Sequence, residues 1–142
     1  MNEQANIEVI RSTYAAFKTA DLPAILSCIA EGAQWHNQGP ETVPYAGLYR
    51  GKEEIVRFFQ TIAESTTGGE VVVDDYVAQG DRVIAFGRYR ATVRSTGAPI
   101  DSPIAHDFTL RDGRIVRWEG YSDTALVAAA HSGQSVAAGQ SA

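Results

Sequence analysis

Apolar residues recur at three- and four-residue steps in the first half of the chain and at every second residue in the second half. The change from a helical to a strand period falls near Glu70. In the first half, Ile7, Ile10, Tyr14 and Phe17 predict a helix over residues 4–19 with a single apolar stripe. Asp21 reads as the N-cap of a short second helix, with Pro23 tolerated in its first turn and Gly32 closing it. Ile25, Leu26 and Ile29 are the apolar residues of that helix. Ala33 to Asn37 is short and strand-like, and Gln38 to Gly51 is a loop rich in Gly and Pro. A third helix starts near Lys52, with Ile55, Phe58, Phe59 and Ile62 as its apolar face, and ends at Thr66-Thr67-Gly68-Gly69.

Beyond Glu70, Val71, Val73 and Tyr76 belong to one strand, and Gly80-Asp81 marks a turn. Arg82 to Arg94 is a long strand with Val83, Ala85, Tyr89, Ala91 and Val93 on one face. After a turn at Ser95-Thr96-Gly97, Ile104, His106, Phe108 and Leu110 share a face of the next strand. Asp112-Gly113 is a hairpin signal, because both central residues of the favoured turn need positive φ. Arg114 to Ser122 is the last strand, followed by a short helix from Asp123 to His131. Helices first and a meander afterwards predict the α+β class, with a curved antiparallel sheet wrapped around three N-terminal helices. Such a sheet leaves one internal hollow, and its uncovered convex face is expected to pair two copies as a homodimer.

The length of 142 residues suits one domain over residues 1–131, with a small, polar, disordered tail over 132–142. A formal charge of −5 without a basic stripe argues against nucleic acid, and no apolar run approaches a membrane span. The polar N-terminus shows no secretory signal, so a cytoplasmic protein is expected. Cys28, the only cysteine, has apolar neighbours and reads as a small buried hydrophobe. His36, His106 and His131 form no spaced cluster, so no metal is expected.

Four patterns carry a family resemblance from about Ile7 to Asp123. They are Phe17-Lys18-Thr19-Ala20-Asp21-Leu22; Ala30-Glu31-Gly32-Ala33-Gln34-Trp35; Tyr49-Arg50-Gly51-Lys52-Glu53-Glu54-Ile55; and Leu110-Arg111-Asp112-Gly113-Arg114-Ile115 running into Trp118-Glu119-Gly120-Tyr121-Ser122-Asp123. The chain resembles the SnoaL-like branch of the nuclear transport factor 2-like superfamily, which includes ketosteroid isomerase, polyketide cyclases and limonene-epoxide hydrolase. The resemblance implies a cone-shaped fold around a pocket for a small hydrophobic ligand. Function is less constrained, because one fold hosts enzymes and binding domains alike. A cofactor-free cyclase, isomerase or hydrolase is one expectation, and a non-catalytic binding domain is the other.

Three residues are the candidate catalytic groups. Asp123 matches the place where the resemblance puts a base, and it is equally suited to cap the helix that follows. Asn37 matches a water-holding asparagine of limonene-epoxide hydrolase, and it falls where ketosteroid isomerase carries its aspartate base. An amide takes no proton from carbon, so Asn37 counts against steroid-type isomerisation; shaping the Gly39-Pro40 loop is its plain alternative. His106 matches the second oxyanion donor of ketosteroid isomerase, or else is a hydrogen-bonded core histidine. Arg88 could match an arginine of limonene-epoxide hydrolase, but Arg90 then replaces that enzyme's acid. Strand alternation turns both outward, unless a bulge resets the register. Tyr14, Phe17, Trp35, Tyr45, Tyr49, Phe58, Phe59, Tyr89, Phe108 and Trp118 are expected to line the pocket.

Overall fold

The computed structural model describes residues 2–133, so the tail expected over 132–142 lies outside it from residue 134 on. Helix α1 (Glu3–Lys18) is capped by Asn2, whose side chain accepts from the Ala5 amide. Asp21 caps α2 (Leu22–Ser27) in the same way through Ala24, with Pro in the first turn. Gly32 does not close this helix. Its φ of 73° lies inside strand β1 (Ile29–Asn37), where the pairing register shifts between Ile29 and Gln34. The loop after β1 contains a short strand, β2 (Gly47–Arg50), which leads directly into α3 (Gly51–Ser65). Arg50 offers α3 no capping oxygen; Glu54 instead accepts from the Arg50 amide at 2.8 Å.

Strands β3 (Thr66–Gln79), β4 (Arg82–Val93), β5 (Pro99–Arg111) and β6 (Arg114–Ser122) form the expected antiparallel meander, and α4 (Thr124–His131) follows. The sheet as a whole is six-stranded, curved and open, in the order β2-β1-β6-β5-β4-β3. It is mixed rather than antiparallel, because β1 runs parallel to β6. Parallel neighbours need a long crossover, and here residues 38–113, more than half of the described chain, supply it. Helices α1, α2 and α3 pack on the concave face, as the helix-first order predicts.

Alternation sorts the side chains. Val83, Ala85, Ala91 and Val93 of β4 are buried on the inner face, as are Ile100, Ile104, Phe108 and Leu110 of β5. Arg88 and Arg90 point outward, where the Nε atoms lie 2.6 and 3.4 Å from Asp101 Oδ1. The register of β4 against β5 is unbroken, so no bulge turns these arginines inward. The extra residue falls on β3 instead, between Val73 and Asp75. There the β3 backbone presses on Gly87, where an added Cβ would lie 2.0 Å from the Val72 carbonyl oxygen. Backbone cannot step aside as a flexible side chain can. Gly87→Ala is therefore expected to lower stability by about 3 kcal/mol in urea denaturation; an unchanged midpoint would mean that β3 yields freely.

Candidate functional site

The parallel register of β1 and β6 sets Trp35 beside Trp118 and Asn37 beside Gly120. The Trp118 ring folds back along its own strand over Gly120, where an added Cβ would sit 2.4 Å from the ring. Only glycine leaves that room. From there Trp118 stacks on Trp35 with ring centroids 5.0 Å apart, and meets His106 edge-on at 5.0 Å. Phe58 and Phe59 of α3 cover Trp35 from the helix side, and Tyr14 and Phe17 of α1 complete the wall.

These residues line a cavity of about 90 Å³. Of the expected lining, Tyr14, Phe17, Trp35, Tyr45, Phe58, Phe59, Tyr89, Phe108 and Trp118 are all at its wall. Tyr49 is not: it stands behind Phe58, half-buried, with ring centroids 5.2 Å apart. Sequence reasoning missed Gln38 and Val43 from the loop after β1, and Ser122, Thr124 and Val127 around the start of α4. No period marks a loop, but the apolar face of α4 was a usable signal for Val127.

The three candidate catalytic residues separate. Asn37 and His106 line the cavity. Asp123 does not. Its side chain is exposed and accepts from the Leu126 amide at 3.1 Å, which is the capping role, while its own amide donates to Ser102 Oγ at 2.9 Å. The carboxylate therefore serves the backbone of α4 and sits outside the lip.

His106 is half-buried in the cavity wall, and its Nδ1 lies 2.7 Å from the Tyr14 hydroxyl. Burial pushes the imidazole from its ordinary 6.5 down to about 3. Burial likewise holds the Tyr14 phenol well above its usual range. Both groups are neutral near pH 7, joined by one hydrogen bond. Trp35 Nε1 and Tyr89 Oη, also at the wall, are buried without a partner among the described residues. At the C-terminal end of α4, His131 Nε2 meets the Tyr45 hydroxyl at 3.0 Å.

Among the described residues, no Asp or Glu lines the cavity. The buried Glu119 lies on the other face of β6, its Oε1 accepting from Arg117 at 2.9 Å and its Oε2 from Gln38 at 2.6 Å, beside His36. Glu119 thereby holds Gln38 in place at the cavity wall. Among the described residues, no group of three His, Cys, Asp or Glu side chains could hold a metal ion, and no helix is long and apolar enough to cross a membrane.

The profile of the SnoaL-like domain matches residues 10–118. An uncharacterized protein of Mycobacterium tuberculosis is 31% identical over 128 residues, covering 88% of this chain and 95% of that protein. An NTF2-like protein of Burkholderia thailandensis superposes with a TM-score of 0.80 at 34% identity, over 92% of this chain and 98% of its own. TerC, co-crystallized with polyporic acid, superposes with a TM-score of 0.82 at 26% identity, over 90% of this chain and 98% of its own.

The depressed His106 has a consequence for stability. Below pH 6.5 the unfolded chain binds a proton here that the folded chain refuses until about pH 3. The contribution is whole above that window and is lost as pH falls through it. Wild type is expected to lose up to about 1.4 kcal/mol more per pH unit than His106→Gln between about pH 6 and pH 4.5. Urea unfolding across that range is the measurement, and parallel slopes would refute a buried neutral His106.

Proposed function

This chain belongs to the SnoaL-like domain family, and on that premise we propose that it is a cofactor-free enzyme moving protons on an apolar, ring-containing molecule with a carbonyl or enol oxygen. One observation carries the reading: the Tyr14–His106 hydrogen bond in a cavity otherwise walled largely by aromatic rings. The hydrogen of that bond has two places. With Tyr14 donating to Nδ1, the Nε2–H of His106 is a donor. With Nδ1–H donating to Tyr14, the phenol O–H is the donor and Nε2 an acceptor.

Passing from the second arrangement to the first takes a proton in at Nε2 and gives one out at the phenol. A C–H proton beside a carbonyl goes to Nε2, Nδ1–H goes to the Tyr14 oxygen, and the phenol hydrogen goes to the carbonyl oxygen. The product is the enol, and no ion forms in the apolar cavity. This matters because an imidazolium here is strongly disfavoured. The likeness to TerC, co-crystallized with polyporic acid, supports a small organic occupant. A second reading, a binding domain without turnover, draws on the lack of a lining carboxylate among the described residues.

Both tryptophans of the chain line the cavity, so intrinsic fluorescence reports on it directly. Indanone is expected to quench that fluorescence and to exchange its α-hydrogens for deuterium faster with the protein present. Tyr14→Phe and His106→Gln should each slow exchange by about 10²-fold or more. Quenching without exchange would favour the binding domain, and neither effect would remove both readings.

The same proposal includes a dimer. The large hydrophobic side chains exposed among the described residues are Leu48, Val72, Val77, Phe86 and Tyr121, all on the outer face of the sheet or at its rim. Some charges on that face are paired within it, as in Arg82 with Asp107 at 2.6 Å. An exposed apolar face with such internal pairs suits a second copy across a twofold axis. Sedimentation should give a dimer at micromolar concentration, and Phe86→Glu should give a monomer that still binds indanone; a wild-type monomer would end the proposal.

A further inference from the structure

A cavity of about 90 Å³ is smaller than the space a ring requires, since a dry protein cavity of about 150 Å³ is what receives benzene. The ligand class proposed above therefore needs room that this cavity alone does not offer. A second cavity of about 510 Å³ lies on the helix side, between α1, α2, α3 and the start of β3. Phe17, Phe59 and Ile62 border both spaces, so the two are separated by a wall one side chain thick. Together they reach the range of about 300–1,000 Å³ usual for small-molecule sites.

The wall has a small neighbour on its outer side, Gly69. Phe17 meets Phe59 at 6.3 Å and Tyr89 at 6.4 Å between ring centroids, and its outer edge faces Gly69. A Cβ on Gly69 would lie 3.4 Å from the Phe17 ring, so any larger side chain there would pin it. Beside Gly69 the register of β3 shifts between Thr67 and Glu70, where β3 carries an extra residue. At the rim of the second cavity stand two cations, Lys18 and Arg94, and one carboxylate, Glu70, 3.6 Å from the Lys18 ammonium.

We infer that Phe17 and Phe59 form a gate between the two cavities, and that the natural ligand is an elongated amphipathic acid. Its oxygenated ring lies at Tyr14 and His106, its apolar chain passes between Phe17 and Phe59, and its anionic end rests at Lys18 and Arg94. This rests on the ligand-binding reading of the inner cavity. It goes beyond that reading in naming the shape and charge of the ligand.

Three probes read by tryptophan fluorescence and calorimetry test it: phenol, para-hexylphenol, and para-hydroxyphenylhexanoic acid. Phenol should bind weakly and lose affinity in Tyr14→Phe. The hexyl chain should tighten binding by at least about a hundredfold, since each buried methylene contributes about a fourfold gain. Gly69→Leu, which pins Phe17, should erase that gain and weaken phenol too, because the ring needs the room that the gate provides. The double change of Lys18 and Arg94 to Gln should weaken only the acid, by about threefold to tenfold, as befits exposed ion pairs. Should Gly69→Leu fail to fold, nuclear Overhauser contacts from the hexyl protons in wild type decide: contacts to Ala63 and Gly69 support the gate, and contacts to Thr124 and Val127 overturn it. Phenol binding with no gain from the chain overturns the gate alone. No binding by any probe overturns the gate and the inner site together.

Discussion

Where β1 lies alongside β6, Trp35 is level with Trp118 and Asn37 with Gly120, and this parallel register ties the first third of the chain to its last strand. The inner wall follows from it. Trp118 can stack on Trp35 only because the strands run in the same sense at that height, and it can lie flat only because Gly120 has no side chain. His106, paired with Gly120 across β5 and β6, then stands beside the same indole, and α1 brings Tyr14 to its Nδ1. The chemistry of the cavity is thus set by a contact between segments more than eighty residues apart, as close packing requires of any well-ordered core.

What was legible in the sequence is what is local. The stripe of α1, the Asp21 cap, the Asp112-Gly113 hairpin and the alternation of β4 and β5 all appear where their short-range signals put them. Each depends on neighbours within a turn or a strand. The parallel placement of β1 was not legible, because pairing partners far apart leave no mark on either segment's own pattern. Gly32 misled for a related reason: positive φ serves a helix end and a bulge equally well. In the site, the aromatic wall was readable from face periodicity, and Tyr49 failed because its strand was hidden in a loop. Asp123 shows the limit most clearly. Cap and base need the same residue in the same place, and only the direction of the carboxyl separates them.

Electrostatics narrow what the cavity can hold. Among the described residues, its wall offers phenols, an imidazole, two indoles and amides, and no permanent charge. The nearest buried carboxylate, Glu119, belongs to the other face and is occupied by Arg117, Gln38 and His36. In such surroundings a full charge is costly, whereas a hydrogen bond that can be made in either sense is not.

The bulge of β3 has a further bearing on how the molecule meets others of its kind. β3 is one of the two edge strands of an open sheet, long enough to template a foreign strand. The inserted residue is Asp74, adjacent to Asp75, and both are exposed. A kinked rim carrying two neighbouring negative charges accepts backbone pairing poorly, so strand-by-strand fibrillar growth is blocked at the place where the sheet is left unfinished.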